Sequence, residues 1–206
     1  MKKDLIALVA DVQQEKTLET LVSERQKSLH MRAISFDLFR HPRKDPGVYQ
    51  EAAEFLRPYA ARYDYALVLM DQAWQGSPGD ARTLSETMHE QIARTGWTAP
   101  TFQVVVIEPE LEAWVWAASP AVPEVLRTTW EAIQELAQRR NYWSTGDLKP
   151  HEPKALLEAV LRQQRRPRSA AIFQALARRI SLSRCQDPAF ALLRETLARW
   201  FPEGQS

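Results

Sequence analysis

The chain has one cysteine, six glycines and four histidines in 206 residues, and each scarcity removes a class of function. A lone thiol, Cys185, makes neither an internal disulfide nor a cysteine-ligated zinc site, so a reducing compartment is the expected setting. Four scattered histidines give zinc chemistry too few ligands. Six glycines form no glycine-rich phosphate loop, which excludes nucleotide hydrolysis by a P-loop. Apolar runs are short as well: none approaches the ~20 residues of a membrane span. Met1-Lys2-Lys3-Asp4 leads into a strand-like segment with no cleavage pattern, so a cytoplasmic address and no membrane partner are expected.

What the chain does have is enough apolar residue, 45%, to bury one core with an appended lobe, and a charge that is unevenly spread. The net charge of +1 hides a basic region: residues 139–184 carry eleven Lys/Arg against three Asp/Glu, leaving sixteen basic and 23 acidic residues elsewhere. Its densest part holds Arg162, Arg165, Arg166 and Arg168, followed by Arg178 and Arg179. These six arginines are candidate phosphate contacts to DNA or RNA. The alternative is a solvated helix end, where cations are favourable, and no aromatic residue is interleaved with Arg162, Arg165, Arg166 and Arg168 for base stacking.

Acids collect where apolar runs stop. Leu5–Ala10 runs into Asp11, Tyr65–Met70 into Asp71, and Val104-Val105-Val106-Ile107 into Glu108-Pro109-Glu110-Leu111-Glu112. Runs without polar alternation suit strands buried on both faces of a parallel sheet, and ligands of such sheets sit beyond the carboxyl ends of the strands. Strands are expected at about 4–10, 33–39, 65–71 and 102–107. Helices are expected at 15–27, from Asp45 as N-cap and Pro46 as first residue through Tyr63, from Ser77–Asp80 to Thr95, and beyond Pro109 around Trp114 and Trp116. From Pro123 onward the periodicity is helical only: 124–140, 153–165, 169–180 and 188–200. The fold class is therefore α/β, a mainly parallel four-stranded sheet with flanking helices (1–120) and a C-terminal helical lobe packed on it (121–206).

An apolar strand with acid at its end, a strand ending in Asp71, and a strand ending in Glu108-Pro109-x-x-Glu112-x-Trp114 together resemble the Toprim fold. The likeness is to a family of small Toprim-like proteins related to OLD-family nucleases, and Pro153-Lys154, Cys185-x-x-Pro188-x-Phe190 and Trp200 extend it over nearly the whole chain. The resemblance implies a component of a prokaryotic antiviral defence locus with protein partners and a metal-dependent nuclease or phosphodiesterase site. Carried over residue by residue, it implies Asp11, Glu15, Asp71, Glu108 and Glu112 as catalytic acids. The family's Glu-Gly after the first strand stands here as Asp11-Val12, and its Asp-x-Asp as Asp71-Gln72-Ala73, without glycine and without the second carboxylate. An inactive binding or regulatory subunit of a defence complex is the alternative.

Carboxylate oxygens are the donors that Mg²⁺ or Mn²⁺ prefers, and one or two suffice when water and phosphate complete the shell; Asp11, Asp71 and Glu108 are the candidate ligands. Glu15 and Glu112 each follow an acid by four residues, which on a helix turns the second toward the first. Glu110, offset by two, is expected to point away. Asp80 either substitutes for the missing carboxylate or ends a helix, Trp114 is expected in the core, and His151 in a linker.

Overall fold

The computed structural model describes residues 2–204. Four strands, β1 (Lys3–Val9), β2 (Phe36–Arg40), β3 (Tyr63–Asp71) and β4 (Phe102–Ile107), form one all-parallel sheet in the order β2-β1-β3-β4. The helices are α1 (Val12–Glu24), α2 (Gln26–Leu29), α3 (Lys44–Leu56), α4 (Ala81–Ala93), α5 (Ala121–Leu126), α6 (Trp130–Arg140), α7 (Pro153–Gln163), α8 (Ala170–Arg179) and α9 (Pro188–Trp200). No helix among the described residues is long and apolar enough to cross a membrane.

Alternate residues of the central strands serve two separate cores. Ile6, Leu8, Val68, Met70, Val104 and Val106 pack with Val48, Leu56, Leu84, Met88 and Ile92 of α3 and α4. Leu5, Ala7, Val9, Leu67, Leu69, Val105 and Ile107 pack with α1 and with the helices after Leu111, down to Leu193 and Leu197 of α9. The C-terminal helices therefore share one hydrophobic core with the sheet, and this double burial is why β1 and β3 read as unbroken apolar runs.

Several boundaries differ from the expectation. The second strand starts at Phe36, because Ser35 is engaged by the Asp4 carboxylate through both its amide (2.8 Å) and its hydroxyl (2.7 Å). Helix α1 starts at Val12, with Asp11 Oδ1 accepting from the amides of Gln13 and Gln14 (2.9 Å each). Asp45 and Pro46 lie inside the first turn of α3 rather than capping it, and α3 ends at Leu56, where Pro58 imposes a 3₁₀ turn. The 124–140 segment is two helices, divided at Arg127 in the left-handed region and restarted by Thr129, whose hydroxyl accepts from the Ala132 amide (3.2 Å). Pro109 follows a cis peptide and opens no α-helix; Glu110 is extended and a 3₁₀ turn runs from Leu111 to Trp116.

Beyond β2, His41 is buried: its Nδ1 accepts from the Arg43 amide (3.2 Å) and its Nε2 lies 2.8 Å from Glu51. Gly47 packs so closely on this ring that an added methyl would overlap it. Gly47→Ala is therefore expected to cost about 1–3 kcal/mol, the usual penalty for overpacking, read as a lower urea midpoint at unchanged slope.

Candidate active site

The carboxyl ends of β1, β3 and β4 meet at one rim, and four carboxylates, of Asp11, Asp45, Glu110 and Glu112, gather there around Asp71. Gln14, buried in the first turn of α1, sets the geometry: its Oε1 accepts from the Ala10 amide and its Nε2 donates to Asp71 Oδ1, both at 2.9 Å. The Leu111 amide donates to the same oxygen (3.0 Å). The amide of Asp71 itself donates to Asp45 Oδ1 (2.8 Å), so the start of α3 brings a further acid to the end of β3. Gln13, with its amide oriented to satisfy both neighbours, donates to Asp11 Oδ2 (2.8 Å) and accepts from Arg168 Nη1 (3.2 Å).

Two cations from the helical region enter the same cluster. Arg168, on the α7–α8 linker, pairs with Glu112 Oε1 through Nε (2.7 Å) and Nη2 (2.5 Å), and its guanidinium lies over Phe173 at 5.1 Å. Glu112 is 1% exposed, so its charge is held almost entirely by this partner. Lys154, in the first turn of α7, meets Glu110 Oε2 at 3.1 Å.

Burial, then the neighbouring carboxylates of Asp45, Glu112, Asp11 and Glu110, push the Asp71 carboxyl well above the ordinary aspartate range. Burial also raises Asp45, with Asp11 adding to it and the Asp71 amide opposing. Glu112 is raised by burial and by Glu110 against the opposition of Arg168. Lys154 is held above its usual value because Glu110 outweighs desolvation. Clustered carboxyls that resist ionisation, at the carboxyl end of a parallel sheet, make this rim the candidate site.

Of the acids expected from the sequence, Asp11, Asp71 and Glu112 come together. Glu15 instead turns to Arg40 (3.3 Å). Glu108 stands exposed, its side chain without a partner among the carboxylates that act on Asp71 and its backbone carbonyl taken by Lys149 Nζ (2.8 Å). Among the described residues no group of three or more His, Cys, Asp or Glu side chains is arranged to hold a metal ion. Asp80 is the N-cap of α4, accepting from the Thr83 amide (2.8 Å). Asp45 and Glu110 join the cluster unexpected. Glu110 was excluded by α-helical geometry in a segment that is extended there, whereas Asp45 follows the end of β2 closely enough for the strand-end rule to have flagged it.

The arginines are mostly committed within the chain. Arg178 pairs with Glu24 through two 2.7 Å bonds, Arg179 pairs with Glu124, Arg166 donates to the Val125 carbonyl (2.7 Å) and Arg168 belongs to the acid cluster. Arg162 and Arg165 stand exposed. Comparison with protein-family models, with curated proteins and with solved structures finds no match to this chain.

Two substitutions test this electrostatics. Raised in the folded state, Asp71 favours folding most below the unfolded aspartate range and costs stability as pH climbs through its folded value. Asp71→Asn keeps the acceptor for Gln14 and Leu111 while removing the charge, so its melting temperature relative to wild type should rise from acid to neutral pH. Arg168→Gln strands Glu112 and should cost about 3 kcal/mol at neutral pH, shrinking in acid as Glu112 takes a proton; a loss independent of pH would refute the pairing.

Proposed function

We propose that the cluster of Asp11, Asp45, Asp71, Glu110 and Glu112 is a hydrolytic site for the phosphodiester bonds of DNA or RNA, served by Mg²⁺ or Mn²⁺. The observation that carries this reading is the convergence on Asp71 of four carboxylates from three separate segments at the carboxyl edge of a parallel sheet. The donor type, though not a ready-made ligand arrangement, suits such a cation: the groups offer hard oxygens, and the repulsion that raises Asp71 is what a divalent charge relieves. Bound there, the ion would supply charge neutralisation at phosphate and a more acidic water.

The chain's own residues divide the remaining work. Gln14 and the Leu111 amide orient Asp71, the Asp71 amide orients Asp45, and Gln13 orients Asp11. Lys154, about half exposed, stands at the edge of the cluster as the cation within reach of a phosphate, while Arg168 holds Glu112. The resemblance described above adds membership of an antiviral defence locus, with protein partners, to this proposal. A second reading, a binding or regulatory subunit without turnover, is favoured by Gln72-Ala73 beyond Asp71 and by the neutralisation of Glu110 and Glu112 by internal cations.

The two separate by experiment. For the hydrolytic site, Mn²⁺ at about one hundred times its dissociation constant should stabilise the fold by about 2.7 kcal/mol, and Asp71→Asn should abolish both that shift and cleavage of DNA or RNA. A metal response without cleavage by the wild type, with partner proteins present, would favour the regulatory subunit. Cleavage undiminished in Asp71→Asn would overturn the site.

A further inference from the structure

The five rim acids are held in two different ways. Asp11, Asp45 and Asp71 accept from amides: Asp11 from Gln13 and Gln14, Asp45 from Asp71, and Asp71 from Gln14 and Leu111. A neutral amide fixes a carboxylate in place without cancelling its charge. Glu110 and Glu112 instead meet cations, Lys154 and Arg168.

Arg168 does more than pair with one acid. Its Nε (2.7 Å) and Nη2 (2.5 Å) both go to Glu112 Oε1, while Nη1 reaches the Gln13 side-chain oxygen (3.2 Å), and Gln13 in turn donates to Asp11 Oδ2 (2.8 Å). One positive charge therefore ties an acid from the end of β1 to an acid from the segment after β4. The guanidinium is delivered by the linker between α7 and α8, and its side chain is 26% exposed against 1% for Glu112. Two residues earlier, Arg166 anchors the linker to the Val125 carbonyl (2.7 Å). Rotation about side-chain bonds, lifting the guanidinium off Phe173 into water, frees Glu112 without unfolding either helix.

We propose that Arg168 is a tethered counter-cation of the rim, exchanging with a divalent ion for Glu112, so that each is bound at the other's expense. The inference rests on the reading of the rim as a Mg²⁺ or Mn²⁺ site. It accounts for the crowding of hard-oxygen donors at the rim in an arrangement that, among the described residues, is not one that holds a metal ion: Glu112 is committed to a guanidinium. Two cations that compete for one carboxylate are negatively coupled, and the coupling is reciprocal. The linker thus balances a buried charge and, by the same contact, sets the ion concentration at which the site loads.

The test is Mn²⁺ binding to the intact chain, followed by loss of the free-ion electron paramagnetic resonance signal. Arg168→Gln should bind Mn²⁺ at least about fivefold more tightly than wild type, and saturating Mn²⁺ should raise its melting temperature by more. Arg178→Gln removes the same charge from an exposed pair with Glu24, at the far end of α1 from Asp11, and should leave the affinity unchanged. A second measurement uses the wild type and is independent of how well Arg168→Gln folds: Mg²⁺ should move the Arg168 Nε–H resonance, identified by its loss in Arg168→Lys, to the position of a solvated arginine. Ion binding by wild type with no gain in Arg168→Gln, with an equal gain in Arg178→Gln, or with the Arg168 resonance unmoved would overturn the exchange and leave the metal site standing. No binding by either wild type or Arg168→Gln overturns both. Binding by Arg168→Gln alone supports the exchange at its strongest.

Discussion

Strands β1 and β3 have no exposed face, and a chain that hides both sides of a strand can turn polar only where the strand stops. The acids at Asp11 and Asp71, and the further pair after β4, are consequences of that constraint. Because the strands are parallel and in register, their stopping points coincide in space, and carboxylates far apart in sequence become neighbours without any local motif to join them. The site is thus a property of sheet topology before it is a property of any loop.

This is also why the strands were easier to read from the sequence than the site. Val104–Ile107 and Leu5–Val9 announce themselves through composition alone, and β4 lies where the pattern put it. Glu110 and Glu15 illustrate the opposite. An α-helical offset predicts the placement of each, yet Glu110 sits in extended chain before a 3₁₀ turn, and Glu15, although helical, is drawn to Arg40 by an ion pair formed across 25 residues. Gln13 and Gln14 were invisible because an amide carries no charge or periodic signal, although these two side chains orient the acids.

The charge asymmetry along the sequence finds its answer inside the molecule. Arg168, Arg178 and Lys154 meet Glu112, Glu24 and Glu110, so the basic helical region neutralises acids carried by α1 and by the segment after β4. These contacts differ greatly in weight. The Arg178–Glu24 pair is exposed and screened, while the Arg168–Glu112 pair secures a carboxylate that water does not reach.

The last helix reaches back to the start of β3. Trp200 stacks on Tyr65 of β3 with ring centroids 4.7 Å apart and donates from its indole to the Pro100 carbonyl (2.8 Å), and Pro202 bridges to Met31. On a ribosome, the chain from β1 to β4 therefore emerges with the underside of its sheet covered only by α1. The face formed by Leu67, Leu69 and Val105 waits for residues translated about a hundred positions later. Until then that apolar surface is available to chaperones or to aggregation, and the rim acids lack their arginine, so the second core and the charge balance of the rim are completed in the same late event.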